Sequence, residues 1–286
     1  MKLGVITDGI NRDLESALKV MQEFGLANAE LQFVWDKEIG DHSPEEIKKM
    51  KGLLKQYGMK VVCITRHNFV GLSMKETTAQ SETYLKHMEA LKRCIRTAHE
   101  LETKTVRIMS GRKEMIIFGE NGAEQWVAST GSWDRLIELM QAPVKLAESE
   151  GITLAVETGN NAMVTSGYLA RKFVNDIGSK NVKVIWDVPN TLYCTDVPYP
   201  DAYELLKGHI SHIHIKDMTA EISKATVRFC ALGKGEMKPY LEPLAAALKK
   251  DNFDGVVCYE SVYHPTGGSY EDGFRESYPM LKKLFG

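Results

Sequence analysis

VKVIWDVPNTLYCTDVPYPDAYELLKGHISHIHIKDM, residues 182–218, holds two short apolar runs, VKVIWD (182–187) and HIHIKD (212–217). Each is rich in Val and Ile and bounded by polar turn residues, which reads as a strand. PDAYELLKGHI, between them, reads as a helix. The stretch is one strand–helix–strand unit. Near-continuous apolar runs suit strands buried on both faces, as in a parallel sheet.

The same rhythm extends in both directions. KLGVIT (2–7), AELQFVW (29–35), KVVCIT (60–65), TVRIMS (105–110), ITLAVE (152–157) and GVVCYES (255–261) bring the strands to eight. Amphipathic segments fill the gaps. The clearest begins at Ser43, with Pro44 at the first helical position and Glu46 three residues after the serine. That is the signature of a capping box. Ile47, Met50, Leu53, Leu54 and Tyr57 then follow the 3.6-residue period, and Gly58 closes the helix. Eightfold strict alternation predicts an α/β fold, a (β/α)8 TIM barrel in which residues 1–286 form a single domain. An open doubly wound sheet is the rival, but no glycine-rich phosphate loop follows any strand. The longest irregular stretches, 111–130 and 218–236, follow strands four and seven, on the face where such barrels place their sites.

Of the 286 residues, 43% are hydrophobic and 26% charged, and the net charge is −2. This balance argues against a nucleic-acid partner, whose phosphates demand a Lys/Arg excess. No apolar run approaches the ~18 residues of a membrane helix, so no membrane partner is expected. The N-terminus lacks the apolar core of a signal peptide. Five widely spaced cysteines without a C-x-x-C suit a reducing cytoplasm.

The last four strands each end in a residue that ligates hard metals: Glu157 (LAVETGN), Asp187 (VIWDVPN), His214 (HIHIKD) and Glu260 (VCYESVY). Their separations are 30, 27 and 46 residues, one unit each with a longer loop in the last. In a barrel these strand ends converge above the core. Three carboxylates and one imidazole suit Mn²⁺, Mg²⁺ or Co²⁺, with Zn²⁺ also compatible. The alternative is a set of salt bridges, but Lys216 can neutralise only one of the three carboxylates. His212 shares a strand face with His214. It lies one layer deeper, so it reads as a hydrogen-bonded core residue.

The ordered motifs VET, WDVPN, HIHIKD, GKGEM (233–237) and YES together resemble the xylose-isomerase-like barrel superfamily, in which sugar-phosphate isomerases, epimerases and endonuclease IV share a fold. The resemblance implies one divalent ion, Mn²⁺ first, held by Glu157, Asp187, His214 and Glu260. It implies Glu157 and Glu260 as the acid/base pair, moving a proton beside the carbonyl of a small sugar, ketose or sugar phosphate. It also implies dimers or tetramers. Departures narrow it. Gly159 replaces the lysine of classical xylose isomerases, Asn190 replaces the histidine of free-ketose epimerases, and hydroxypyruvate isomerases carry Gln at His214. The additional ligands of endonuclease IV are missing, which makes a DNA-repair nuclease the weakest reading. A dehydratase of inososes or dehydroshikimate, using the same site, is the main alternative.

The candidates for holding substrate are His67, Asn190, Lys216 and Arg112, all near strand ends. Each has a plainer reading. His67 caps a loop, Lys216 pairs with Asp217, and Arg112 and Lys234 are solvated loop charges. Glu30 and Gln32 alternate on strand two and point into the barrel, as substrate contacts or as interior hydrogen bonds. Trp35 and Phe69 wall a pocket or pack under loops.

Overall fold

Eight parallel strands close on themselves: β1 (Lys2–Ile6), β2 (Asn28–Leu31), β3 (Lys60–Ile64), β4 (Thr105–Ile108), β5 (Thr153–Glu157), β6 (Val182–Asp187), β7 (Ile210–Ile215) and β8 (Val256–Tyr259). Each pairs with its chain neighbours, and β8 returns to β1. The expected (β/α)8 barrel is what the chain forms. The computed structural model describes the backbone of residues 1–113 and 122–286, with side chains for 1–113 and 131–286.

The helices wrap the outside and follow their local signals. Pro44–Gln56 opens with the expected capping box: Ser43 Oγ accepts from the Glu46 backbone N–H, and a Glu46 carboxylate oxygen accepts from the Ser43 backbone N–H. Tyr270–Phe285 carries a second box on Ser269 and Asp272, which the sequence reading passed over. The core between strands and helices is apolar. Val106, Leu154, Trp186, Ile213 and Val257 on the strands pack with Leu18, Leu91, Leu139, Phe173 and Leu281 on the helices.

Three boundaries differ from expectation. The run 29–35 is not one strand. β2 stops at Leu31, and Phe33–Val34 pairs with Lys37–Glu38 in a tight hairpin. Trp35 and Asp36, at its tip, both adopt positive φ (49° and 63°), as in the turns whose twist matches a hairpin. Likewise, 218–236 is irregular only in part, because Asp217–Glu221 pairs antiparallel with Thr226–Cys230. The alternation in TVRFC is there, but only Met218 of the ribbon is buried in the core and Val227 merely packs against it, too little apolar face to flag a strand. The fourth helix spans Gly122–Ser149, beginning well inside the stretch read as loop. Ala, Glu and Gln at its start are good helix formers. Residues 114–121 of that expected loop lie outside the described residues.

Inside the barrel the layers change character along the strands. Cys63, Ala155 and Ile185 form a small apolar cluster of their own. Two residues further along their strands stand Thr65, Glu157 and Asp187, because alternate side chains face inward. The interior turns from apolar to charged at the C-terminal mouth.

Candidate metal centre

Glu157, Asp187 and His214 bring their ligand atoms together at that mouth. One atom from each lies within 4.8 Å of the others, and all three residues are buried. The register explains it: Asp187 on β6 stands opposite His214 on β7, and Glu157 on β5 is opposite Ile185, one layer below Asp187. Glu260, the fourth expected ligand, stands outside this trio and joins it through Lys216.

Each member is held by further groups. His214 Nδ1 contacts Glu157 Oε1 at 2.7 Å, and its Nε2 contacts Glu30 Oε2 at 2.9 Å. Burial alone would lower the His214 pKa, but the Glu30 and Glu157 carboxylates outweigh it and raise it well above the ordinary value. Glu30 is fully buried; burial pushes its acid up, and the His214 charge and hydrogen bond override this to hold it at about 2. Thr65 Oγ1 donates to Glu30 Oε2 at 3.1 Å.

Arg107, on β4, grips the other oxygen of Glu157. Its Nη1 donates to Glu157 Oε2 at 2.8 Å, and its Nη2 to the Thr65 carbonyl at 2.6 Å. Burial would raise the Glu157 acid, but the Arg107 guanidinium and then His214 pull it well below the usual carboxylate range.

Lys216 does not pair with Asp217, as expected, but bridges Asp187 and Glu260. Its Nζ lies 2.5 Å from Asp187 Oδ2 and also donates to Glu260 Oε2. Consecutive residues of an extended chain face opposite ways, so Lys216 and Asp217 diverge. Asp217 instead accepts from the backbone N–H groups of Met218, Gly233, Gly235 and Met237. It thereby organises the GKGEM loop. A Cβ on Gly235 would lie 2.2 Å from the Met218 carbonyl oxygen and 2.5 Å from Asp217 Oδ1, so this close turn needs glycine there. Burial among carboxylates pushes Asp187 up to about 7 against the pull of Lys216. Burial also pushes Glu260 up, but Lys216 wins and lowers it.

The other expected residues divide. Asn190 Nδ2 donates to Asp187 Oδ2 at 2.7 Å and to the Thr158 carbonyl at 3.2 Å, so its amide steadies a member of the trio. His67 is on the same mouth but apart from the trio. Its Nδ1 meets Glu38 Oε1 at 2.8 Å, and its backbone N–H donates to that same oxygen. Arg112 is exposed on the loop after β4, as is Lys234 in the GKGEM loop. His212 is buried, as expected, but neither ring nitrogen has a hydrogen-bond partner among the described residues. Burial lowers its pKa and keeps it neutral. Phe69 is buried against Tyr84 and His87 under its loop. Trp35 is half-buried beneath the Lys49 ammonium. Glu38 and Arg107 escaped the sequence reading altogether. Arg107 left a signal: a lone arginine inside an apolar strand run needs a buried partner.

At the same mouth opens a cleft of about 700 Å³, lined by Asp8, Arg12, Phe33, Ser261 and Tyr270 among others. It is formed by loops after β8, β1 and β2, at the mouth rather than the floor. Together, the closed parallel barrel and an acidic cluster at its C-terminal mouth define a barrel of the enzyme-bearing kind.

The chain belongs to the xylose isomerase-like TIM barrel family, whose model matches residues 18–284. Solved structures agree on the fold. The IolI protein with a bound zinc atom is 19% identical, with a TM-score of 0.74, and 100% of this chain and 98% of that one are covered. A D-psicose 3-epimerase with D-fructose is 17% identical, with a TM-score of 0.71 and full coverage of both chains. The probable 3-DHS dehydratase AsbF from Bacillus anthracis is 15% identical, with a TM-score of 0.73 and coverage of 98% and 99%. No curated protein matches the chain. Among the described residues, no helix is long and apolar enough to cross a membrane.

Proposed function

We propose that this protein is a divalent-metal-dependent isomerase or epimerase of a small sugar, ketose or sugar phosphate. The observation that carries the reading is the convergence of ligand atoms from Glu157, Asp187 and His214 within 4.8 Å, on three consecutive strands of a family barrel. In this reading Glu157, Asp187, His214 and Glu260 hold one ion, Mn²⁺ by preference for this oxygen-rich set. The ion would polarise a carbonyl and stabilise negative charge developing on its oxygen.

The chain's own residues do the rest. Arg107 grips Glu157 Oε2, which leaves Oε1, the oxygen on His214 in the metal-free protein, to turn toward the ion or a proton once His214 ligates. Glu260 is less enclosed, with its side chain 21% exposed, and the next residue along, Ser261, lines the cleft. We assign Glu260 the first proton transfer at the carbon beside the carbonyl, with Glu157 as its partner on the opposite face. Lys216, His67 and Arg112 meet substrate hydroxyls or a phosphate, while Asn190 acts through Asp187. Assembly as a dimer or tetramer and a cytoplasmic location belong to the same proposal.

The test is incubation with Mn²⁺ and a ketose panel in D₂O. Deuterium at the carbon next to the carbonyl, without loss of water, is expected. No exchange with any ketose would end the reading. An enone rising in the ultraviolet would instead favour a dehydratase, the second reading, which the fold shared with AsbF keeps in view.

A further inference from the structure

Lys216 is buried, and its ammonium sits on two oxygens that the proposed site would offer to a metal, Asp187 Oδ2 and Glu260 Oε2. A cation that took both oxygens would have to share them with, or take them from, a fixed positive charge. The neighbourhood is already nearly balanced. Four carboxylates (Glu30, Glu157, Asp187 and Glu260) face Arg107, Lys216 and His214. Arg107 is tied to the opposite side by backbone carbonyls and by Glu157. Lys216 carries its charge on a flexible four-carbon stem, so it is the cation built to move.

We propose that Lys216 is a built-in stand-in for the metal. It holds Asp187 and Glu260 together in the metal-free protein, withdraws when a divalent ion enters, and so sets how tightly that ion is bound. This rests on the metal-dependent reading above. Two consequences follow. The barrel folds without metal, because its acidic mouth is already neutralised. And metal affinity is held below what the same ligands would give without the lysine.

The experiment measures Mn²⁺ binding to metal-free wild type, Lys216→Met and Lys216→Arg by competition with a chromophoric chelator, so the readout is Kd and not turnover. Lys216→Met should bind at least tenfold tighter than wild type, and Lys216→Arg, which keeps the charge, no tighter. If Lys216→Met cannot fold without metal, its recovery of folded circular dichroism on adding Mn²⁺, while wild type folds without it, reports the same exchange. Equal or weaker binding by Lys216→Met, with wild type binding normally, overturns the stand-in role and leaves the metal site intact. No binding by wild type or either variant overturns both.

Discussion

Two of the glutamate–histidine contacts near the mouth of this barrel, one inside it and one on its rim, are almost identical in length. Glu30 meets His214 at 2.9 Å, and Glu38 meets His67 at 2.8 Å. The first pair is wholly buried; in the second the side chains are 19% and 36% exposed. That difference decides what each contact is worth. Inside the barrel, losing one partner strands a charge away from water, which costs far more than the pair contributes while intact. At the rim, water and Arg66 stand ready to take over from a missing partner. The buried pair therefore behaves as fixed architecture behind the candidate ligand His214. The rim pair is free to meet something that arrives from solution.

Breaking the inner pair should have the largest effect. Glu30→Ala leaves His214 with Glu157 alone and should destabilise the metal-free protein by about 3–5 kcal/mol in chemical denaturation. A loss under about 1 kcal/mol would show that the buried contact is not structural. A milder cut is Thr65→Val, which removes only the hydroxyl on Glu30 Oε2. About 1.5–3 kcal/mol is expected for a hydrogen bond to a charged acceptor, measured the same way.

The outer pair answers to pH. Burial pushes the Glu38 acid up, but hydrogen bonds from His67 and the Arg66 charge hold it at about 2, below its ordinary 4.5. A depressed acid contributes stability that is present above pH 4.5 and lost as pH falls toward 2. With the His67 side open to solvent, about 1–2 kcal/mol is expected after discounting for screening. Glu38→Gln should remove that amount at neutral pH and flatten the acid limb of the stability profile between these values. An unchanged limb would mean that the carboxylate is solvated rather than held. Smallest of all on stability is His67→Ala, at about 1 kcal/mol or less. Its effect should fall on substrate instead, as a raised KM with a modest change in kcat. A variant that loses stability but keeps KM would return His67 to the role of a loop cap.

The same contrast explains what could be read from the sequence. Glu157, Asp187 and His214 were legible because each ends an apolar run, one strand apart, and the barrel's symmetry does the rest. Glu30 was legible only as an inward-facing residue. Its partner is 184 positions away, a distance that no local pattern encodes. Lys216 was misassigned to Asp217 by adjacency, although strand alternation already placed the two on opposite faces. The rim hairpins at Phe33–Glu38 and Asp217–Cys230 were lost for another reason. Each buries a single apolar side chain, Val34 in one and Met218 in the other, too few to set up the periodicity that reveals a strand. Composition reported the core well and the loops poorly, because loops answer to turn geometry and to their ligands.

The central claim is that the charged layer above Cys63, Ala155 and Ile185 is built around one divalent ion. It is tested most directly by dialysing metal-free protein against Mn²⁺ to equilibrium and measuring the metal bound per chain, above that free in the dialysate, in wild type and in an Asp187→Ala, His214→Ala double variant. The account predicts one ion per chain in wild type and none bound by the double variant. Wild type that binds no metal, or a double variant that binds it fully, would contradict it.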